Sequence, residues 1–287
     1  MRAGSCTYPG QYSRHPAEGS GPGLPGRLAL TALLLLPGIQ VVAKDAPAAP
    51  PKQAVAEAAV QSTVNPAAIS GHRSLSPYKA VYKTSASGLS IKLRRSLTMD
   101  ASGDCRLTSE GNLLVAGISE VSVFALDGNQ IQPKSYIYQL RGPVSRRREV
   151  HFDSDSDVIR SLYKKEWYLL PNAPGTLDRM SQQEQLRLLM LNDPTPREDI
   201  LFRVADGRKI KEYRFMYRGE SILETPMGDI NTLHFERDHS DPERRSSVWI
   251  APEWDYLMVR TLHVDEGKAT EANLISVSIG GVALGSS

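Results

Sequence analysis

Cysteine is almost missing from this sequence, with Cys6 and Cys105 the two present. They form no Cys-x-x-Cys pair, which excludes a zinc ribbon and a thioredoxin-like redox motif. Histidine is sparse, and after residue 43 His72, His151, His234, His239 and His263 never adopt the His-x-x-x-His spacing of a helical zinc site. There is no Gly-x-Ser-x-Gly elbow, no phosphate-binding loop and no dinucleotide fingerprint. No apolar run approaches the roughly 20 residues that a spanning helix needs. Neither charge sign dominates, with 34 Lys and Arg against 32 Asp and Glu.

What is present begins with a leader. Residues 1–26 are rich in Gly, Pro and Ser and lack apolar periodicity, so they bury too little surface to offset chain entropy. Arg27 then precedes an apolar stretch from Leu28 to Leu36, a break at Pro37-Gly38, and Val41-Val42-Ala43. A basic residue, a short apolar core and small residues before a cut after Ala43 read as a secretory signal peptide. The expectation is export to the periplasm, with a true start nearer Arg27. Cys6 has no apolar run before it and is not a lipid-attachment site. Without residues 1–43 the basic count falls from 34 to 31 and the acidic count from 32 to 31. The near-neutral remainder points neither to nucleic acid nor to an acidic membrane surface. One thiol, Cys105, then remains, so no internal disulfide forms and the core must hold the domain. Residues 44–75, rich in Ala, Pro, Gln and Ser, read as a flexible tether. The division expected is therefore leader 1–43, linker 44–75, domain 76–281 and tail 282–287.

From Pro77 onward, short period-2 stretches recur between Gly, Asp, Asn and Pro. Tyr78, Ala80 and Tyr82 share one face; Cys105, Leu107 and Ser109 share another; Val121, Val123 and Ala125 lead into an Asp127-Gly128 hairpin turn. Tyr213, Phe215 and Tyr217 alternate with Glu212, Arg214 and Met216. About ten to twelve strands with hairpin-length connections favour an antiparallel meander. One helix interrupts them. Ser181-Gln182-Gln183-Glu184 reads as a capping box, and Asn192-Asp193-Pro194 ends the helix after about ten residues. The fold class is mainly β, a curved antiparallel sheet or half-barrel with one short helix.

Few residues suggest chemistry. Asp153-Ser154-Asp155-Ser156-Asp157 begins like a calcium loop, but its sixth and twelfth positions are Val158 and Lys164 rather than Gly and Glu. A solvated turn fits better. Cys105 lies at the start of a strand and reads as a small buried residue. His234 and His263 both fall in strands, where one shared sheet face is an open question. Arg146-Arg147-Arg148 is a basic triplet suited to lipid phosphate, to an acidic partner, or to a solvated strand edge. The aromatic set is more suggestive. Tyr78, Tyr82, Tyr136, Tyr138, Tyr213, Phe215 and Tyr217 all sit on expected strands and are candidate lining for an apolar groove, with ordinary core packing as the alternative.

Several stretches together resemble a known family. Pro77-Tyr78-Lys79-Ala80-Val81-Tyr82, Arg106-Leu107-Thr108-Ser109-Glu110-Gly111, Pro174-Gly175-Thr176-Leu177-Asp178 and Leu223-Glu224-Thr225-Pro226-Met227-Gly228 stand in order, closed by Val248-Trp249-Ile250-Ala251-Pro252 and Tyr256-Leu257-Met258-Val259-Arg260. Over about residues 76–280 the chain resembles the bacterial family called domain of unknown function 3108. It departs at Arg179-Met180, where the family usually has Pro-Leu. The resemblance implies an exported envelope protein of Gram-negative bacteria, with a curved sheet similar to the half-barrel of periplasmic lipoprotein carriers. It supplies no catalytic residue, metal or cofactor. The expectation is a non-enzymatic protein that holds a lipid-like or apolar ligand on the concave face. The alternative is an envelope interaction or assembly module. Its partners would be a lipid, a lipoprotein or an envelope protein, and not nucleic acid.

Overall fold

The computed structural model describes residues 72–285, apart from 87–88, 114–115, 154, 196–198 and 240. The expected leader and residues 44–71 of the expected tether lie outside the described residues. At 72–75 the chain already packs: Leu75 is buried, the Arg73 main-chain N–H donates to Asn192, and the Arg73 guanidinium meets Asp255 at 2.7 Å.

Eight strands run first as a meander: β1 (Tyr78–Ala86), β2 (Leu89–Met99), β3 (Cys105–Leu113), β4 (Ala116–Asp127), β5 (Gln130–Arg141), β6 (Arg146–Phe152), β7 (Val158–Tyr163) and β8 (Glu166–Pro171). A two-residue β9 (Thr176–Leu177) then precedes α1 (Ser181–Asn192). A second meander follows, with β10 (Asp199–Asp206), β11 (Lys209–Thr225), β12 (Gly228–Arg237), β13 (Arg245–Ala251), β14 (Leu257–Asp265) and β15 (Lys268–Ile279). A short β16 (Val282–Leu284) folds back on β15. All belong to one sheet, ordered β8 to β1, then β15 down to β9. The two meanders are joined by β1 pairing antiparallel with β15, from Tyr78 opposite Ile279 to Ala86 opposite Thr270. The sheet is curved and open, and its far ends approach where Ser161 Oγ donates to the Gly207 carbonyl at 2.7 Å.

The sixteen strands among the described residues exceed the expected ten to twelve. β9 and β16 are too short for alternation to show. β11 absorbs two expected strands by a bulge at Tyr217–Gly219, where Gly219 takes φ +117°, a backbone that a side chain resists. β10 was not anticipated; its exposed Leu201 and Arg203 alternate with buried Ile200, Phe202 and Val204.

Inward faces follow the alternation. Tyr78, Ala80 and Tyr82 of β1 are buried, as are Cys105, Leu107 and Ser109 of β3. On β4 the alternation left the inward face open. Ile118, Glu120, Ser122 and Phe124 face inward, so Val121, Val123 and Ala125 form its other face. The Cys105 thiol is buried, and desolvation pushes its pKa up to about 11, as a small core residue requires.

The capping at α1 differs from expectation. No side-chain cap comes from Ser181 to the third-position amide; instead Asp178 accepts from the N–H groups of Met180 (2.8 Å) and Ser181 (2.9 Å). Ser181 Oγ in turn accepts from the Asp178 N–H at 2.9 Å. The reciprocal box therefore sits one turn earlier, and Glu184 is freed for buried arginines. Asp193 ends the helix before Pro194, as expected, with its N–H bonded to the Leu189 carbonyl. α1 packs into the concavity with Leu186, Leu188, Met190 and Leu191 buried beside Ser181, Gln182, Glu184, Gln185 and Arg187.

Candidate functional site

The concave face carries two clusters of buried charge, one on either side of α1's N-terminal turns. The first begins on β2, where Arg95 occupies an inward position between Leu93 and Leu97. Its Nη2 lies 3.3 Å from Glu184 Oε1, its Nε donates to the Tyr78 hydroxyl at 2.9 Å, and its Nη1 donates to Gln183 at 2.6 Å. The Tyr78 hydroxyl in turn donates to Glu184 Oε1 at 2.8 Å. Arg187 completes the group: Nη1 is 3.2 Å from Glu184 Oε2, Nε donates to the Asp255 carbonyl, and the guanidinium carbon lies 5.0 Å from the Tyr78 ring centroid. One carboxylate thus serves two arginines. Burial, and then the neighbouring carboxylate, push the Tyr78 phenol well above its usual range despite Arg95 beside it.

Beneath α1 and against this cluster lies a cavity of about 30 Å³. Its lining is mixed: Leu186, Phe215, Val248, Ile250, Leu257 and Met258 are apolar, whereas Arg95, Gln182, Glu184 and Arg187 are polar or charged. Gln182 Oε1 and Arg187 Nη2 have no protein partner. A broader open cleft of about 570 Å³ lies along β1–β3 and β15, with exposed Lys79, Arg94 and Glu110 in its lining.

The second cluster spans the approaching ends of the sheet. Arg179, just before α1, is 3.1 Å from Asp206 Oδ1, while Lys211 Nζ is 2.6 Å from Asp206 Oδ2 and the Tyr213 hydroxyl donates to that same oxygen at 3.2 Å. Burial alone would raise the Asp206 carboxyl, yet Arg179 and Lys211 outweigh it and hold it at about 2. Arg237 stacks its guanidinium 4.3 Å from the Tyr213 ring centroid. Beside it, His239 Nε2 and His263 Nδ1 both bond to Ser246 Oγ, at 2.9 and 2.7 Å. Burial, with Arg237 adding repulsion, lowers these imidazoles to about 3 and about 4, so both are neutral near pH 7. Tyr136 donates to Glu120 at 2.6 Å, and Arg148 stacks over Tyr138 and Tyr163.

The expected aromatic groove is divided. Tyr78, Tyr82 and Phe215 line the cavity under α1, whereas Tyr136, Tyr138 and Tyr213 belong to the second cluster. Tyr217 lies half-buried, its ring centroid 5.5 Å from that of Phe235. The arginine triplet is divided too. Arg146 and Arg147 are exposed while Arg148 turns half-buried toward the tyrosines, and β6 is an interior strand between β5 and β7 rather than a sheet edge. His234 and His263 lie on opposite faces: His234 stacks on Trp249 with centroids 4.4 Å apart, and His263 points into the core. The Asp153–Asp157 stretch is a hairpin loop, closed by Asn172 donating to the carbonyls of Asp153 and Ser156.

Sequence reasoning missed the charged partners Arg95, Glu120, Arg179, Asp206 and Arg237. A signal existed for several. Arg95 interrupts the inward series Ile91, Leu93, Leu97, and Arg237 ends the inward series Leu233, Phe235. A charge on an apolar face demands a partner.

The family model described as Protein of unknown function (DUF3108) matches residues 92–268. No curated relative matches the chain. Among solved structures, a β-barrel-like protein of domain of unknown function DUF1849 from Brucella abortus is similar over 71% of this chain and 98% of its own, at 10% identity and TM-score 0.46. A candidate lipoprotein from Parabacteroides distasonis is similar over 71% and 95%, at 9% identity and TM-score 0.32. The MucA/MucB complex of Pseudomonas aeruginosa gives 11% identity and TM-score 0.16 over 73% of this chain and 92% of that one.

Proposed function

The chain belongs to the DUF3108 family of proteins of unknown function, and from the geometry of its concave face we propose that it is a non-enzymatic envelope domain that binds a lipid-like ligand beneath α1. The observation that carries this reading is the mixed lining of the cavity, with apolar residues from β11, β13 and β14 and charged ones from β2 and α1. Such a lining suits an amphipathic molecule better than a wholly apolar one. At about 30 Å³ the space has room for water but not for an acyl chain, which enters only as α1 shifts. Polar contacts hold α1 to the sheet beside its buried leucines: Glu184 to Arg95, Gln185 to the β4–β5 turn, and Asp178 to Ser122.

Native mass spectrometry of the protein gently extracted from its own envelope tests this. A lipid-sized adduct is expected; the bare polypeptide mass alone would overturn the reading.

A second reading, an envelope interaction module, is favoured by β8. Trp167 and Leu169 are exposed on this last strand of the meander, whose outer edge has no strand partner among the described residues. An extended segment of a partner can add to such an edge. Changing Trp167 and Leu169 together to Ser should then abolish co-purification of that partner, and unchanged recovery would refute it.

A further inference from the structure

The second charge cluster has more cation than its own acids can balance. Arg148, Arg179, Lys211 and Arg237 face the carboxylates of Glu120, Asp178 and Asp206, so cations outnumber acids. Asp178 adds its charge but no spare acceptor, because its carboxylate is engaged by the N–H groups of Met180 and Ser181 and by the Ser122 hydroxyl. His239 and His263 lie beside Arg237 and contribute no charge near neutral pH.

The donors that remain are specific. Arg179 Nε and Nη2, Arg237 Nη1 and the Tyr138 hydroxyl are all buried without a protein partner. Arg179 and Arg237 are each 3% exposed, which makes an unpaired N–H costly. They flank one pair of groups: Arg179 touches Asp206, Asp206 accepts from Tyr213, and Arg237 covers the Tyr213 ring. Arg148 is half-buried over Tyr138 and Tyr163, next to exposed Arg146 and Arg147, and forms the side of the cluster nearest solvent.

We propose that this cluster is a binding site for a phosphate group, held by Arg179 and Arg237 with Tyr138, and covered by Arg148. A phosphate monoester is strongly anionic near pH 7 and presents three acceptor oxygens to these spare donors, where a carboxylate presents two. Its oxygens accept several N–H bonds at once, as the guanidinium fork requires. The site goes beyond the pocket reading and does not need it. Free phosphate would fill this cluster alone, and a phospholipid would place its headgroup here with its chains under the sheet.

The test is thermal unfolding of the full chain at pH 7.5 and constant ionic strength. The additions are inorganic phosphate, dihexanoyl phosphatidic acid below its micelle concentration, or dihexanoyl glycerol, each against chloride. A saturating phosphate compound should raise Tm by about 5 °C. Arg237→Met should abolish that rise while keeping the native near-ultraviolet circular dichroism, and the exposed control Arg146→Met should retain it. If Arg237→Met does not fold, broadening of the inorganic phosphate ³¹P signal by the unaltered protein, relieved by excess phosphatidic acid, reads the same site. A rise with both phosphate compounds, or with inorganic phosphate alone, supports the site; a rise with phosphatidic acid alone supports it as a headgroup site. Equal rises with phosphatidic acid and dihexanoyl glycerol, and none with inorganic phosphate, would overturn the phosphate site and leave the apolar pocket standing. No rise with any addition would overturn both.

Discussion

The two clusters on the concave face meet the same problem, charge taken out of water, in different ways. Around Glu184 one carboxylate is shared by Arg95 and Arg187, Tyr78 bridges acid and base, and of the two guanidiniums one nitrogen, Arg187 Nη2, goes without a protein acceptor. Around Asp206 the carboxylate is just as fully engaged, yet Arg179 and Arg237 together keep three nitrogens unpaired. A buried pair that is nearly complete is costly to break from either side; a cluster with spare donors tolerates loss of a spare cation. The first cluster is therefore read as a clamp holding α1 to β1 and β2, and the second as binding capacity.

The largest effect expected from this contrast is at the clamp. Glu184→Gln strands two buried guanidiniums and should cost about 3–5 kcal/mol in urea unfolding; a loss below about 1 kcal/mol would place the helix under apolar control instead. Next, Tyr78→Phe removes the bridging hydroxyl and should cost about 1–3 kcal/mol by the same measurement, with the fold retained. The histidines beside Arg237 give a pH effect of intermediate size. The His263 pKa in the folded chain is about 4, below its unfolded value, so the unfolded chain binds the proton first as pH falls. Stability is full above about pH 7 and should decline by about 2 kcal/mol as pH falls from about 6.5 toward 4. His263→Asn should flatten that decline, and an unaltered slope would show that other groups set it. The smallest effect is expected at the spare cation: Arg237→Met should change stability by less than about 1 kcal/mol, or raise it, where no phosphate is present. A loss as large as that of Glu184→Gln would erase the distinction between clamp and site.

Much of the fold was legible because half-buried strands announce themselves by alternation. β1, β3 and the Asp127-Gly128 hairpin follow directly from their residues, and Gly128 takes φ +53° in that turn. Other features depend on contacts that alternation does not encode. Which face of β4 turns inward was not legible, because Glu120 and Ser122 look like surface residues until Tyr136 and Asp178 stand opposite them. The cap was misplaced for a related reason: Glu184 fits a capping box locally, but two distant arginines claim it. The aromatic candidates were correctly set on strands, while their division between a cavity and a charge cluster depends on where α1 and the ends of the sheet come to lie.

The pairing of β1 with β15 has a consequence for how the chain reaches this state. Tyr78 and Ile279 stand opposite each other although roughly 200 residues separate them along the chain, a loop whose closure is among the slow steps of folding. Until β15 has formed, β1 presents an unpaired edge bearing buried-type residues such as Tyr78 and Tyr82, the kind of edge that invites association between chains. The sheet can be completed only when nearly all of the polypeptide is present. A chain cut before β15 would therefore lose the partner of its first strand as well as its own last long one, and should aggregate rather than fold in halves.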